Sequence, residues 1–165
     1  MKVGELLEKL EKDSDFKAWK EKNSESYLVH IFFTDMIPEI GYYNKDDTIT
    51  TFTFEEDKLK ISDEQKIFKK DDHKVMALEL ENVGIEYVDA KARAENIQNE
   101  TYKGHDPIKT ITVLQHTEKG QMYNFTFITQ TFQTLNVKID SKTGDVIEHK
   151  LYSLMDIGKV EKGGK

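Results

Sequence analysis

The fold is decided by the stretch Leu135-Asn-Val-Lys-Ile-Asp-Ser-Lys-Thr-Gly-Asp-Val-Ile-Glu-His-Lys150. Its first half alternates apolar and polar residues, which is the period of a half-buried strand. Gly144 then supplies the positive φ that a tight turn requires, and Asp140 is placed to stabilise the loop. Apolar residues resume at Val146, so the stretch predicts two antiparallel strands joined by a short hairpin loop.

More strands and a helix precede this hairpin in the C-terminal part of the chain. Residues 108–116 and 121–129 show strand periodicity, and a Glu-Lys-Gly turn separates them. Alanines recur through residues 86–98, which favours a helix by propensity. Residues 76–80 form either a strand or the start of a helix, and their apolar alternation favours a strand.

The N-terminal part of the chain shows the same order of elements. Apolar residues on one face predict a helix over residues 3–22, bent near Asp13. Residues 27–34 form a strand that is apolar on both faces, which is typical of a central position in a sheet. Shorter strands are predicted at residues 40–43 and 48–55, the latter rich in β-branched and aromatic residues.

The chain is therefore predicted to be an α+β protein made of two helix-on-antiparallel-sheet halves. The N-terminal half covers residues 1–72 and ends in a polar connector from residue 56, which has room for one short strand. The C-terminal half covers residues 73–155, and residues 156–165 are predicted to be a flexible tail. Most aromatic residues lie at strand spacing beside aliphatic ones, which indicates a core role.

Composition disfavours several classes of partner. The net charge of −7, with acidic and basic residues interleaved, disfavours nucleic acid and anionic membrane surfaces, since both attract a basic face. The absence of cysteine excludes disulfides, thiolate catalysis and zinc–thiolate sites. The charged N-terminus lacks the apolar core of a secretion signal, and no stretch approaches the ~18 apolar residues of a membrane span. We expect a cytoplasmic protein that does not enter a membrane.

Motifs that carry chemistry are sparse. None of the five histidines falls in a spaced metal motif such as His-Glu-x-x-His. The acidic clusters lack the alternating ligands and glycine bend of a calcium loop, and no phosphate loop or activated serine is present. We predict no catalytic residue, no metal and no cofactor. His30 is expected to be buried and hydrogen-bonded on the strand face that carries Leu28 and Phe32.

Three features of the C-terminal half match a known family: the alanine-rich helix, the aromatic strand Tyr123-Asn-Phe-Thr-Phe127, and the Asp-x-x-Thr-Gly-x-Val turn that begins at Asp140. With them, residues 76–152 resemble a PepSY-like domain. The N-terminal half looks like a divergent second copy, in which the matching segments are Phe16-Lys-Ala-Trp19 and Ile40-Gly-Tyr-Tyr-Asn44.

The resemblance implies a binding role. PepSY domains are known from the propeptides of thermolysin-like metallopeptidases and from exported proteins, with peptidase inhibition proposed. This chain shows neither a peptidase domain nor an export signal, which weakens the inhibitor interpretation. The outline is also similar to cystatin-like folds, but the Gln-x-Val-x-Gly loop of cystatins is absent.

The leading hypothesis is a non-catalytic module that binds a protein or peptide, with peptidase modulation as one form of that role. An exposed sheet edge would accept an extended peptide by strand addition. The alternative is a small-molecule or lipid carrier with a pocket between helix and sheet. Site residues are expected first among the aromatic and histidine positions of the exposed sheet face, and the oligomeric state is left open. The candidate binding residues are Tyr42, Tyr43, Tyr123 and His116.

Overall fold

The architecture is α+β, as predicted, and the described residues form three helices packed on an antiparallel sheet. The computed structural model describes residues 1–35, 37–62, 65–66 and 74–153. The helices are α1 (Val3–Lys12), α2 (Ser14–Lys22) and α3 (Tyr87–Thr101), and a single 3₁₀ turn lies at Leu80–Asn82. The strands are β1 (Tyr27–Phe33), β2 (Glu39–Tyr43), β3 (Thr48–Glu55), β4 (Lys58–Ile61), β5 (Gln65–Lys66), β6 (Pro107–Thr117), β7 (Gly120–Thr129), β8 (Gln133–Asp140) and β9 (Val146–Ser153).

Eight of these strands follow one another across the sheet in the order β4-β3-β2-β1-β6-β7-β8-β9, and β5 pairs with the outer side of β3. Every pairing is antiparallel, and β1 meets β6 at the centre with Phe32 opposite Val113. The central position predicted for residues 27–34 is therefore confirmed. The described sheet ends at β9 on one side and at β4 and β5 on the other.

All three helices lie on the same face of the sheet, which we call the helix face. Side chains alternate between the two faces, so one row across the centre carries Ile31, Leu114, Tyr123 and Ile139 toward the helices. These four residues are fully buried. The aromatic and aliphatic residues of the strands therefore form the core, as predicted from their spacing.

The N-terminal helix breaks at Asp13, where the sequence predicts a bend. Asp13 has extended backbone angles, with φ −70° and ψ 135°, which ends α1. Its carboxylate accepts hydrogen bonds from the N–H groups of Asp15 (2.8 Å) and Phe16 (3.2 Å), and so caps α2. The break lets α1 bury its leucines while α2 turns Phe16 into the aromatic part of the core.

The β8–β9 hairpin forms as its sequence predicts. Gly144 has φ +76°, and the Asp140 carboxylate accepts hydrogen bonds from the N–H groups of Lys142 (2.8 Å) and Thr143 (2.9 Å). These bonds, that of Thr143 first, lower the pKa of Asp140 below its usual value. The loop is also held from outside, since Arg93 of α3 donates to the Gly144 carbonyl.

The strand predicted at residues 76–80 is wrong. Residues 74–79 have no regular secondary structure, although Leu78 is buried and its N–H donates to the Leu28 carbonyl at 2.8 Å. The segment crosses the end of the sheet instead of joining it, because Gln121 bonds both backbone groups of Glu79 through its side-chain amide.

Other predictions concern boundaries and absences. The α3 helix extends to Thr101, a few residues past the predicted end. The division at residues 72 and 73, most of the connector after Ile61, and the tail at 156–165 lie outside the described residues. Within the described ranges, no helix is long and apolar enough to span a membrane.

Candidate functional site

Tyr42 does not lie on the exposed sheet face, so its predicted placement is wrong. It points toward the helices, where only 7% of it is exposed, and its ring makes edge contacts with Phe16, Trp19 and Phe52. Burial, followed by the negative charge of Glu11, raises the pKa of Tyr42 to about 12. The phenol is a protonated core group and is unsuited to contact a ligand on the open side of the sheet.

The predicted exposure of Tyr123 is also wrong. Tyr123 is fully buried on the helix face, and its hydroxyl donates to the Ile85 carbonyl at 3.0 Å. Burial, with smaller effects of Glu86 and Asp89, raises its pKa above the usual range. The hydrogen bond ties β7 to the segment that leads into α3, so this tyrosine positions the helix.

The other two candidates, Tyr43 and His116, have accessible surface and lie on β2 and β6, which β1 separates. Tyr43 is on the opposite side of the sheet from Tyr42, packs its ring at 5.4 Å from that of Tyr27, and bonds the Asp47 carboxylate. His116 lies near the end of β6, where its Nδ1 is 3.0 Å from the Ala77 carbonyl. That contact requires a proton on Nδ1, which leaves Nε2 of the neutral ring as an acceptor.

The sheet face opposite the helices, which we call the open face, carries a mixed polar and apolar surface. One row across it places Phe32, Val113, Asn124, Lys138 and Glu148 directly opposite one another. No helix among the described residues covers this face. Several of its side chains are nevertheless half-buried by their neighbours.

A groove crosses the open face beside the segment at residues 74–76. Its cavity volume of about 720 Å³ falls in the range of small-molecule sites. The lining includes Met122 and Asn124 of β7 together with three lysines. The residues that line the groove are Lys74, Val75, Met76, Gln115, His116, Thr117, Glu118, Lys119, Met122, Asn124 and Lys138.

The segment beside the groove is held by hydrogen bonds at both ends. The hydroxyl of Tyr27 donates to the Val75 carbonyl at 2.7 Å, and Ala77 contacts His116 as described above. The bonds from Leu78 and Gln121 fix the point at which the chain passes to the helix face. The sequence pattern does not reveal this groove, because the apolar alternation at residues 76–80 predicts a strand there.

An ion-pair network joins the groove to the edge strand β9. The Glu148 carboxylate of β9 accepts from Lys138 at 2.5 Å and from Lys119 at 3.2 Å. Hydrogen bonds from Lys138 and then Lys119 lower the pKa of Glu148, so the carboxylate stays ionised. The groove rim and the β9 edge therefore form one continuous polar surface.

The β9 edge is the longer of the two sheet edges. It has eight residues, and no described strand pairs with its outer side. The opposite edge is formed by β4 and β5, which have four and two residues. A long unpaired edge presents a row of N–H and C=O groups that can accept another strand.

The hydrogen-bond pattern shows which backbone groups of β9 point outward. The N–H of Asp140 donates toward the β9 side and that of Ser141 toward β7, so even-numbered residues of β8 bond to β9. Their partners, among them Glu148 and Lys150, use their backbone groups for β8. The N–H and C=O of His149 therefore point away from the sheet, and those of Leu151 do the same.

His30 is a neutral buried group of the open face. Its ring lies directly on Gly41, where an added Cβ would come within 2.2 Å of Nε2, and it packs edge-on against Phe32 at 4.8 Å. A bulge between Leu28 and His30 places these two residues on opposite faces, so the predicted shared face with Leu28 is wrong. Burial lowers the pKa of His30 from 6.5 to about 4.

Acidification is expected to destabilise the fold through His30. In the folded state His30 stays neutral down to a pH of about 4, whereas in the unfolded chain it binds a proton near pH 6.5. The stability of the fold is therefore lost as the pH falls below 6.5, and the loss is complete near 4. Between pH 7 and 5 the loss amounts to roughly 2 kcal/mol. Urea titrations of the wild type and of His30→Gln at both pH values measure it. Equal losses in the two proteins would contradict this assignment.

The described residues contain no cluster of three or more acidic or histidine side chains suited to a metal ion. The site can therefore be described by its backbone edge, its groove and the charges between them. Glu148 and Lys150 belong to the stretch that predicts the hairpin, and the hairpin pattern gives them no role beyond forming its second strand. Their alternation on an edge strand is the signal that sequence reasoning missed.

Comparison with known proteins shows a likeness of fold alone. No family model matches the chain, and no curated protein matches it. The crystal structure of a putative lipoprotein from Clostridium difficile 630 aligns with a TM-score of 0.54 at 14% sequence identity. The alignment covers 86% of this chain and 97% of that chain. The arrangement of helices and sheet is therefore shared with a protein of unrelated sequence.

Proposed function

We propose that the protein is a non-catalytic binding module that adds an extended peptide segment to the outer edge of β9. The observation that carries the proposal is the eight-residue edge strand with outward backbone groups at His149 and Leu151. Main-chain hydrogen bonds would supply affinity in this mode, and side-chain contacts would supply specificity. Glu148 and Lys150 stand on the open face beside the added strand and would select its charges.

The chain order supports a related proposal about origin. Helix followed by four antiparallel strands occurs twice, as α1–α2 with β1–β4 and as α3 with β6–β9. The first strands of the two units pair antiparallel at the centre, which is the arrangement expected of a pseudo-two-fold repeat. We propose two PepSY-like units on this basis, with peptidase modulation as one form of the binding role. A cytoplasmic location stays a prediction.

A proline at position 149 is expected to abolish strand addition without unfolding the sheet. Proline removes the outward N–H and is tolerated on edge strands when that group faces solvent. Peptides selected from a random display library on the wild type would be titrated calorimetrically against His149→Pro. We expect binding to weaken by about tenfold or more, because the added strand loses a hydrogen bond and meets the ring.

The matched control is His149→Ala, which keeps the N–H but loses the 2.6 Å contact between the His149 ring and the Tyr102 hydroxyl. It is expected to bind the selected peptides within about threefold of the wild type. Hydrogen exchange of the wild-type complex should show protection of the His149 and Leu151 amides. Equal affinity of the proline and alanine variants would refute binding at this edge.

The second candidate is a small-molecule carrier, and the observation that favours it is the groove of about 720 Å³ on the open face. The space between the helices and the sheet offers less room, since buried side chains such as Phe52 and Phe125 occupy that layer. A carrier would therefore use Met76 and Met122 as its apolar contacts. Protection of groove amides with unchanged β9 exchange would favour this function over strand addition.

A further inference from the structure

We propose that the β9 edge pairs with β9 of a second copy of this chain, forming a two-fold symmetric dimer with one continuous sheet. The inference rests on the proposed edge function, because it names the partner of that same edge. It is carried by the order of charges along the strand, together with the direction of its backbone groups. Residues 147–151 contain all the elements that the pairing requires.

Two-fold symmetry restricts how an antiparallel strand can pair with itself. Residue i must face residue j of the copy while j faces i, so one residue lies on the axis opposite its own counterpart. Side chains directly opposite must share a face of the sheet. Near the middle of β9 the axis can therefore pass through Glu148, His149 or Lys150.

The charges select one of these three registers. An axis at Glu148 would place two carboxylates directly opposite each other, and an axis at Lys150 would place two ammonium groups together. Like charges in directly opposed positions destabilise a strand pair. An axis at His149 instead places Glu148 of each copy opposite Lys150 of the other, which gives two complementary pairs on the open face.

The backbone favours the same register. The outward N–H and C=O of His149 would exchange two hydrogen bonds across the axis with those of the second copy. Leu151 has outward groups by the same alternation, whereas a bulge at Ile147, beside the Ile139–Val146 pair, interrupts the alternation beyond Glu148. The Leu151 side chain is half-buried at the margin of the sheet, so pairing would extend the apolar layer under the helices.

The helices leave room for the second copy. The α3 helix packs mainly on β7 and β8, and only Tyr102 at its C-terminal end is seen to reach β9, through His149. In the dimer the strand order would be β8-β9-β9-β8, so the two β8 strands would lie three strand spacings apart, a distance of about 14 Å. Two helices of about 10 Å diameter that pack inside those strands do not collide.

The Glu148 carboxylate has capacity for a further cation. Its Oε1 accepts from Lys138 and Lys119, while Oε2 accepts from Lys119 alone. A carboxylate offers about four acceptor positions, so Lys150 of the second copy can join this network. Lys150 itself lies 5.0 Å over the Tyr152 ring, on the strand that would meet the copy.

Reversing the charges at positions 148 and 150, first singly and then together, tests the register. Sedimentation equilibrium of the wild type should show a reversible dimer of twice the 19.2 kDa monomer mass. Glu148→Lys and Lys150→Glu each turn two attractive pairs into two repulsive ones, so each should raise the dimer Kd by about tenfold or more. The double variant should restore the dimer, and a mixture of the two single variants should form a mixed dimer. Thermal melts of each variant establish that the monomers are folded.

A cysteine on the axis gives a second readout in this cysteine-free chain. His149→Cys should form an intermolecular disulfide on mild oxidation, since opposed Cα atoms about 5.5 Å apart lie within disulfide range. Tyr152→Cys is the matched control, because its counterpart in the dimer lies six residues along the strand, at about 20 Å. Equal cross-linking of the two variants would overturn the register.

The outcomes separate this inference from the function on which it rests. A wild type that stays monomeric at high concentration overturns self-pairing, and a dimer that survives both single charge exchanges places the contact elsewhere and also overturns it. In either case, weaker peptide binding by His149→Pro would still uphold strand addition at β9. If His149→Pro also binds peptides like the wild type, both proposals fail.

Discussion

Replacing Phe52 by alanine is expected to lower the free energy of unfolding by about 4 kcal/mol. Phe52 is fully buried, and its ring centroid lies 4.8 Å from that of Trp19 and 5.1 Å from that of Phe16. The substitution removes a buried ring and leaves a cavity between β3 and α2. Because both neighbours are themselves large and held by other contacts, the cavity cannot close. Equilibrium unfolding in urea measures the loss.

The matched control is Phe132→Ala. Phe132 is 76% exposed at the β7–β8 turn, so the same change in chemistry removes little buried surface. We expect a change of about 0.5 kcal/mol or less. A loss at Phe132 that equals the loss at Phe52 would contradict the described core.

Replacing Gly84 by alanine is expected to cost about 3 kcal/mol, because the added methyl meets backbone. A Cβ at this position would lie 2.0 Å from the Lys142 carbonyl oxygen. The Gly84 N–H also donates to the Ser141 carbonyl at 2.8 Å, so the chain cannot move away without losing that bond. Thermal and urea unfolding should both show the loss.

The same substitution at Gly4 is expected to change the stability in the opposite direction. It lies in α1 with nothing within 4 Å of the position of an added Cβ. Gly4→Ala is therefore expected to stabilise the protein by up to about 1 kcal/mol, through helix propensity. If both variants lost stability equally, the close approach of Gly84 to the hairpin loop would not be the cause.

These predictions depend on contacts that sequence patterns did not show. Gly84 lies between the elements predicted at residues 76–80 and 86–98, yet it marks the point where the chain entering α3 touches the β8–β9 loop. The hairpin itself was predictable, because its alternation, its Asp140 cap and its positive φ at Gly144 are local properties. A contact between residues 84 and 142 is long-range, and no local preference encodes it.

Adjacent tyrosines show the same limit at the candidate site. Tyr42 and Tyr43 lie on opposite faces, and which of them is buried depends on the pairing of β2 with β1 and β3. The bulge before His30 changes the face of part of β1, which strict alternation cannot anticipate. Sequence reasoning assigned the strands of Tyr42 and Tyr123 correctly but placed both tyrosines on the wrong side, because alternation does not show which face the helices cover.

The sequence by itself determined the helices, most of the strands, the break at Asp13 and the hairpin turn, because each follows from the period and turn chemistry of neighbouring residues. Only the tertiary structure decided that β9 is an edge, that a groove crosses the open face, and that Glu148 and Lys150 flank an outward-facing His149. Strand order and the covering of one face by helices arise from packing between distant segments. The same alternating charges would be ordinary solvent-facing residues on an interior strand.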